Sequence, residues 1–188
     1  MVASYKRDKR DIKPIETYFD GYRFRSRLEA RWAVFFSAIG LDYEYEIEGF
    51  EMEDVRYLPD FYIPSLDRWF EVKGQPLSVE EIKKCEQFCC RKDNENIKFS
   101  ILIGAPALTQ VDAGGISVLG VREFVWEWPC KRYPENVLMQ VDGLVKEEYP
   151  SRFLSGIWKV SNVTDQELIN AVKRAREARF EFGEMPKL

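Results

Sequence analysis

The stretch from Ser26 to Gly40 leaves the chain little freedom. Ser26 is a good N-cap, Glu29 stands three residues later as in a capping box, and Leu28, Trp32, Phe35 and Ile39 recur at helical spacing until Gly40 ends the run. A helix with so bulky an apolar stripe must bury it, so the rest of the chain has to supply a surface to pack against. Before it, Tyr18 to Phe24 reads as a tight hairpin, because Asp20-Gly21 can adopt the positive φ angles of a two-residue turn.

The packing surface is legible in the next sixty residues. Residues 42–48 alternate charge with Tyr43, Tyr45 and Ile47, the pattern of a half-buried strand. Residues 56–63 and 68–73 form two more strands, joined by the turn Pro64-Ser65-Leu66-Asp67. Ser78 caps a second helix to about Arg91, with Val79, Ile82, Lys83 and Glu86 dividing an apolar side from a charged one. Phe99 to Ile103, ahead of Gly104, is a short buried strand. Helix, three strands, helix, strand implies a mixed α/β sheet flanked by helices. Beyond Ala105 residues 116–128 add one or two strands, Lys131 to Gly156 is ambiguous, and Thr164 or Asp165 caps a last helix to about Phe182.

Absences narrow the chemistry further. The 188 residues contain no histidine, which excludes Ser-His-Asp and Cys-His nucleophilic sites and His-based zinc sites together. Hydrolytic chemistry here must rest on carboxylates, lysine and a hard metal ion. Cys85, Cys89 and Cys90 cluster on the second helix and Cys130 stands apart, unlike a secreted disulfide framework; free thiols are expected. An iron-sulfur cluster is disfavoured, since no cysteine precedes position 85 and adjacent cysteines diverge on a helix. No run of about eighteen apolar residues is present and the N-terminus is polar, so no membrane association and a cytoplasmic location are expected. The net charge of −4 argues against coating DNA by charge alone. Basic residues nevertheless cluster at Lys6, Arg7, Lys9 and Arg10 and at Lys173, Arg174, Arg176 and Arg179, as solvated charge or as phosphate contacts.

Within Tyr57 to Ile63, Asp60 follows Pro59 inside a run suited to burial, where an unpaired carboxylate is costly. Ten residues intervene before Glu71-Val72-Lys73-Gly74. Side chains two apart on a strand share a face, so Glu71 and Lys73 point together and Val72 points into the opposite layer. Two carboxylates and an amine suit phosphodiester hydrolysis, in which oxygen ligands hold Mg2+ and lysine orients or deprotonates water. Gly74 would let the backbone turn away from a bulky phosphate, or simply end a strand. One geometrical condition applies. Pairing Ile63 with Trp69 would set Asp60 opposite Val72, on the wrong face from Glu71. A one-residue register shift, or a bulge at Pro59, is therefore expected.

Phe24-Arg25-Ser26-Arg27-Leu28-Glu29-Ala30-Arg31-Trp32-Ala33, Tyr57-Leu58-Pro59-Asp60-Phe61 and Trp69 to Gly74 together resemble the PD-(D/E)XK, or restriction-endonuclease-like, superfamily. Within it, the chain is particularly similar to small nucleases encoded by phages and prophages, and Ala175 to Glu184 also resembles such proteins. The resemblance implies an α/β restriction-endonuclease-like core: a helix, a three-stranded antiparallel hairpin unit, a helix and a strand, with a mixed central sheet and a C-terminal extension. It implies a Mg2+ or Mn2+ dependent endonuclease acting on DNA, in a bacterial host cytoplasm if phage-encoded. Asp60 and Glu71 would ligate the metal, with the Val72 carbonyl as an extra ligand and Lys73 as the base or water-orienting residue. Glu29 would complete the site directly or through water, or serve as the capping partner of Ser26. Gln75 could reach the site or remain a polar loop residue.

Residues 1–17 are read as a basic arm, 18–128 as the nuclease core and 129–188 as an extension ending in a helix packed on the core. Small enzymes of this type often dimerise to cut both strands, although no interface is marked in the chain. The competing expectation, motivated by the acidic charge and the lack of a DNA-reading module, is a catalytically silent nuclease-like protein that binds nucleic acid or a host or phage protein.

Overall fold

The computed structural model describes residues 14–52, 55–75, 77–89, 97, 99–113, 116–121, 124–126, 163–181 and 186. The basic arm to residue 13, Cys90, Cys130, the stretch 131–156 and Phe182 lie outside them, as does the side chain of Cys89. The architecture is mixed α/β, with three helices and one central sheet among the described residues.

A hairpin of β1 (Thr17–Phe19) and β2 (Tyr22–Phe24) opens the fold, so Thr17 belongs to a strand rather than to the arm. Its turn has positive φ at both Asp20 and Gly21, as expected of Asp-Gly. Helix α1 (Arg27–Ala38) comes next, with Ser26 accepting the Glu29 amide and Gly40 at φ 73 after the last turn. Helix α2 (Val79–Cys89) is capped reciprocally by Ser78 and Glu81, and helix α3 (Asp165–Glu177) by Thr164 and Glu167. Helix α3 stops short of the expected Phe182, because the chain leaves helical geometry at Ala178 (ψ 124).

The central sheet contains β3 (Glu44–Tyr45), β6 (Phe61–Ile63), β7 (Arg68–Lys73), β8 (Phe99–Ile103) and β11 (Phe124–Trp126), in the order β11-β8-β7-β6-β3. Strands β7 and β8 run parallel and every other neighbouring pair is antiparallel. Two separate hairpins flank it, β4 (Phe50–Met52) with β5 (Val55–Tyr57), and β9 (Leu108–Ala113) with β10 (Ile116–Val121).

Alternation along these strands divides two cores. Phe61, Ile63, Phe70, Val72 and Leu102 join the side chains of α1 and α3, including Trp32, Phe36, Leu168 and Ala175. Phe99 and Ile101, with Trp69 and Ile103 at the margin, join Ile82, Cys85 and Phe88 of α2. The sheet is thus sandwiched between helices, as the sequence pattern requires. Helix α3 packs on this framework, with its small buried residues Ala171 and Ala175 in the α1 core.

Several local expectations are corrected. The run 56–63 is two strands, β5 and β6, paired in different sheets and separated at Leu58-Pro59-Asp60. Proline supplies no ladder donor there, which breaks the strand. The strand read over 42–48 is only Glu44–Tyr45, because Glu46 takes φ 48 and reverses the alternation, leaving Ile47 46% exposed. Val79 of α2 is exposed rather than apolar-side; Ile82, Cys85 and Phe88 are the buried residues. Strands β4 and β9 answer to no expectation.

Candidate functional site

The expected irregularity is present as a register shift. Strand β6 pairs with β7 as Phe61↔Phe70, Tyr62↔Trp69 and Ile63↔Arg68, one residue away from the pairing of Ile63 with Trp69. A 3-10 turn at Pro64–Leu66, closed by Asp67 at φ 48, makes the connection. Continuing this register by one residue sets Asp60 opposite Glu71, and directly opposed residues share a face. Val72 points to the α1 side and is buried there, whereas Glu71 and Lys73 face α2.

Asp60 is held at both oxygens. Its Oδ2 accepts the Val72 backbone N–H at 2.7 Å, and its Oδ1 lies 2.6 Å from Arg25 Nη2. The Asp60 carbonyl accepts the Glu46 N–H at 3.0 Å, fastening the same residue to the β3 side. Burial raises the Asp60 pKa well above the carboxylate range, and the nearby charges of Glu71 and Glu29 raise it further; the Val72 amide and Arg25 oppose this without cancelling it. Asp60 thus lies within electrostatic reach of both Glu71 and Glu29.

The backbone adds an acceptor. In a strand, N–H and C=O of one residue leave by the same edge, so the Val72 carbonyl shares the edge of the amide that meets Asp60. The residue continuing the register opposite Val72 is Pro59, which has no N–H to donate to it. The Lys73 carbonyl leaves by the other edge and accepts from Gly104 N at 2.7 Å.

Glu71 Oε2 accepts from the Tyr57 hydroxyl at 3.0 Å, and Oε1 lies 2.8 Å from Lys73 Nζ. Lys73 is 3.3 Å from Glu81 Oε1 of α2 as well. Burial disfavours its charge, yet the two glutamates outweigh this and raise its pKa, so the amine stays protonated. The Ser78 amide and Lys73 lower the Glu81 pKa despite partial burial. Cys85 lies behind this group, its Sγ 3.8 Å from the Tyr57 hydroxyl, as a free buried thiol pushed up to about 12 by burial.

Glu29 is both a cap partner and a neighbour of the acids. Its Oε1 accepts from Ser26 Oγ at 2.6 Å; its Oε2 accepts from the Arg25 amide at 3.0 Å and the Tyr45 hydroxyl at 2.6 Å. It is buried beside Asp60, whose pKa its charge raises.

Two participants were not read from the sequence. Arg25, immediately before the α1 cap, bridges Asp60 and Glu46, with Nε 2.5 Å from Glu46 Oε1 as an ion pair that lacks hydrogen-bond alignment. Burial works against the Arg25 charge, but Asp60, Tyr45 and Glu46 raise its pKa above the ordinary value. Glu46 is a fourth acid; burial, and more weakly Glu29 and Glu71, raise its pKa against the pull of Arg25. Only a positive φ at Glu46, invisible in an alternating pattern, turns it inward. Gly74 has an ordinary φ, and a Cβ there would meet only Leu28 Cδ2 at 3.9 Å, so the backbone does not require glycine. Gln75 is exposed.

Among the described residues no three His, Cys, Asp or Glu side chains are drawn together as a ready-made metal cage, and no helix is long and apolar enough to cross a membrane. Comparison of the chain with family models, curated proteins and solved structures finds no match.

Proposed function

We propose that this chain is a Mg2+ or Mn2+ dependent nuclease that hydrolyses phosphodiester bonds in DNA, on a restriction-endonuclease-like core of the PD-(D/E)XK kind. The observation that carries the reading is the register of β6 and β7, which, continued by one residue beyond Phe61↔Phe70, sets Asp60 opposite Glu71 with Lys73 on the same face. A shift of one residue either way would separate them.

The donor set fits a hard divalent cation. Asp60 and Glu71 would supply carboxylate oxygens, the Val72 carbonyl faces a residue that cannot donate to it, and Glu29 would act directly or through water. The crowding that raises the Asp60 pKa is what a cation among these oxygens relieves. When bound, the ion supplies charge neutralisation at the phosphate and a more acidic water. Lys73, protonated between Glu71 and Glu81, suits orienting water and stabilising negative charge better than removing a proton. Tyr57 and Lys73 hold Glu71 from its two oxygens and fix where it points.

The test is cleavage of supercoiled, linear and branched DNA by the purified protein in Mg2+, beside Asp60→Ala. The variant should lose more than about a hundredfold in rate, beyond what losing an outer-shell partner costs. Equal cleavage by both proteins refutes the assignment. Cleavage by neither refutes it too and turns attention to a partner-binding role.

A further inference from the structure

Arg25 stands out in the cluster by its exposure. Its side chain is 55% exposed, whereas that of Asp60, which it contacts, is 3% exposed. The guanidinium therefore reaches in from solvent to a buried carboxylate instead of being packed with it. Its backbone is fastened independently, since the Arg25 amide donates to Glu29 Oε2 and to the Tyr45 hydroxyl, each at 3.0 Å. The head group can leave without disturbing the cap of α1. It also holds the second acid, Glu46, which reaches it only through a left-handed backbone.

A cation entering among Asp60, Glu71 and Val72 would have to neutralise the charge that Arg25 now neutralises. With Oδ2 accepting the Val72 amide, the guanidinium and the cation would compete for Asp60 Oδ1. A released guanidinium, anchored beside the site, presents the planar donor fork that suits phosphate oxygens.

We propose that Arg25 is the exchangeable counter-ion of this carboxylate cluster: it yields Asp60 to the divalent cation and, once freed, holds a phosphate oxygen of the substrate. The inference rests on the nuclease reading above, and it makes Arg25 a coupling element between metal loading and substrate binding.

Calorimetric titration with MnCl2 at pH 8 tests the exchange. Arg25→Gln, which removes the competing charge, should bind Mn2+ about fivefold tighter or more than the unaltered protein, and Arg25→Lys should fall between the two. A Mn2+ affinity in Arg25→Gln equal to or below that of the unaltered protein overturns the proposal. Should Arg25→Gln fail to fold, the unaltered protein decides. Its Arg25 Nε–Hε NMR signal should move toward the position of a free arginine when Mg2+ is added; an unmoved signal in saturating Mg2+ overturns the exchange. With Ca2+ replacing Mg2+ to prevent cutting, Arg25→Gln should bind a DNA duplex about tenfold more weakly, the cost of one charge-assisted hydrogen bond. Undiminished duplex binding overturns the phosphate role. An unaltered protein that takes up no Mn2+ refutes the metal-dependent reading itself, and this inference with it.

Discussion

Replacing Glu29 by Ala and by Gln separates its two duties, and the expected difference comes from its hydrogen bonds. Alanine leaves two donors without their acceptor, the Tyr45 hydroxyl and the Ser26 hydroxyl, while the Arg25 amide keeps the Tyr45 oxygen. Each unsatisfied buried donor costs roughly 1–3 kcal/mol. At the lower limit, because water enters part of the space, Glu29→Ala should cost about 2 kcal/mol. In a chain of this size that lowers the melting temperature by about 4–8 °C. Glutamine keeps the shape. Its Oε1 can accept from Arg25 and Tyr45, while its amide donates to Ser26 Oγ, which can turn to accept. Glu29→Gln should therefore cost no more than about 1 kcal/mol, the net worth of one ordinary hydrogen bond. Urea denaturation with the slope checked for constancy measures both. Near-equal destabilisation by the two variants would refute the hydrogen-bond assignment. If Glu29→Gln folds normally and still weakens Mn2+ binding, the carboxylate acts on the cation beyond capping.

Two further outcomes concern titration. An unfolded aspartate ionises at about 3.9, and Asp60 in the fold does so at higher pH. Its contribution to stability is thus fully present below about 3.9 and is lost as pH rises through the folded value. Stability measured from pH 4 upward should decline less in Asp60→Asn than in the unaltered protein, and parallel curves would contradict the raised pKa. Cys85, buried and with its pKa pushed up to about 12, should resist iodoacetamide at pH 8 in the folded protein and react in urea. Mass spectrometry showing rapid native alkylation at Cys85 would contradict its burial.

What could be read in advance divides along physical lines. Strand β7 occupies residues 68–73 as read, and Val72 faces away from Glu71 and Lys73, because both result from a period of two and a run bounded by turn residues. The caps at Ser26, Ser78 and Thr164 were equally legible, being local chemistry between residues three apart. Arg25 and Glu46 were not, since nothing local distinguishes them from surface charges; only tertiary approach, with an unusual φ at Glu46, gives them partners. Val79 was misassigned for a related reason. It begins the helical pattern, but it is exposed, and burial within α2 starts at Ile82.

Pro59 ties these levels together. By withholding a donor, it keeps β5 and β6 from forming one continuous strand and lets Asp60 take a different path. The Val72 amide is answered by the Asp60 side chain at 2.7 Å, and the proline that continues the register opposite Val72 has no N–H for the Val72 carbonyl. The 3-10 turn at Pro64–Leu66 then sets the parity that brings Glu71 opposite Asp60. The Pro-Asp pair and the acid-x-Lys triplet are therefore not independent matches to a pattern. Asp60 of the first accepts the Val72 amide, which lies between Glu71 and Lys73 of the second.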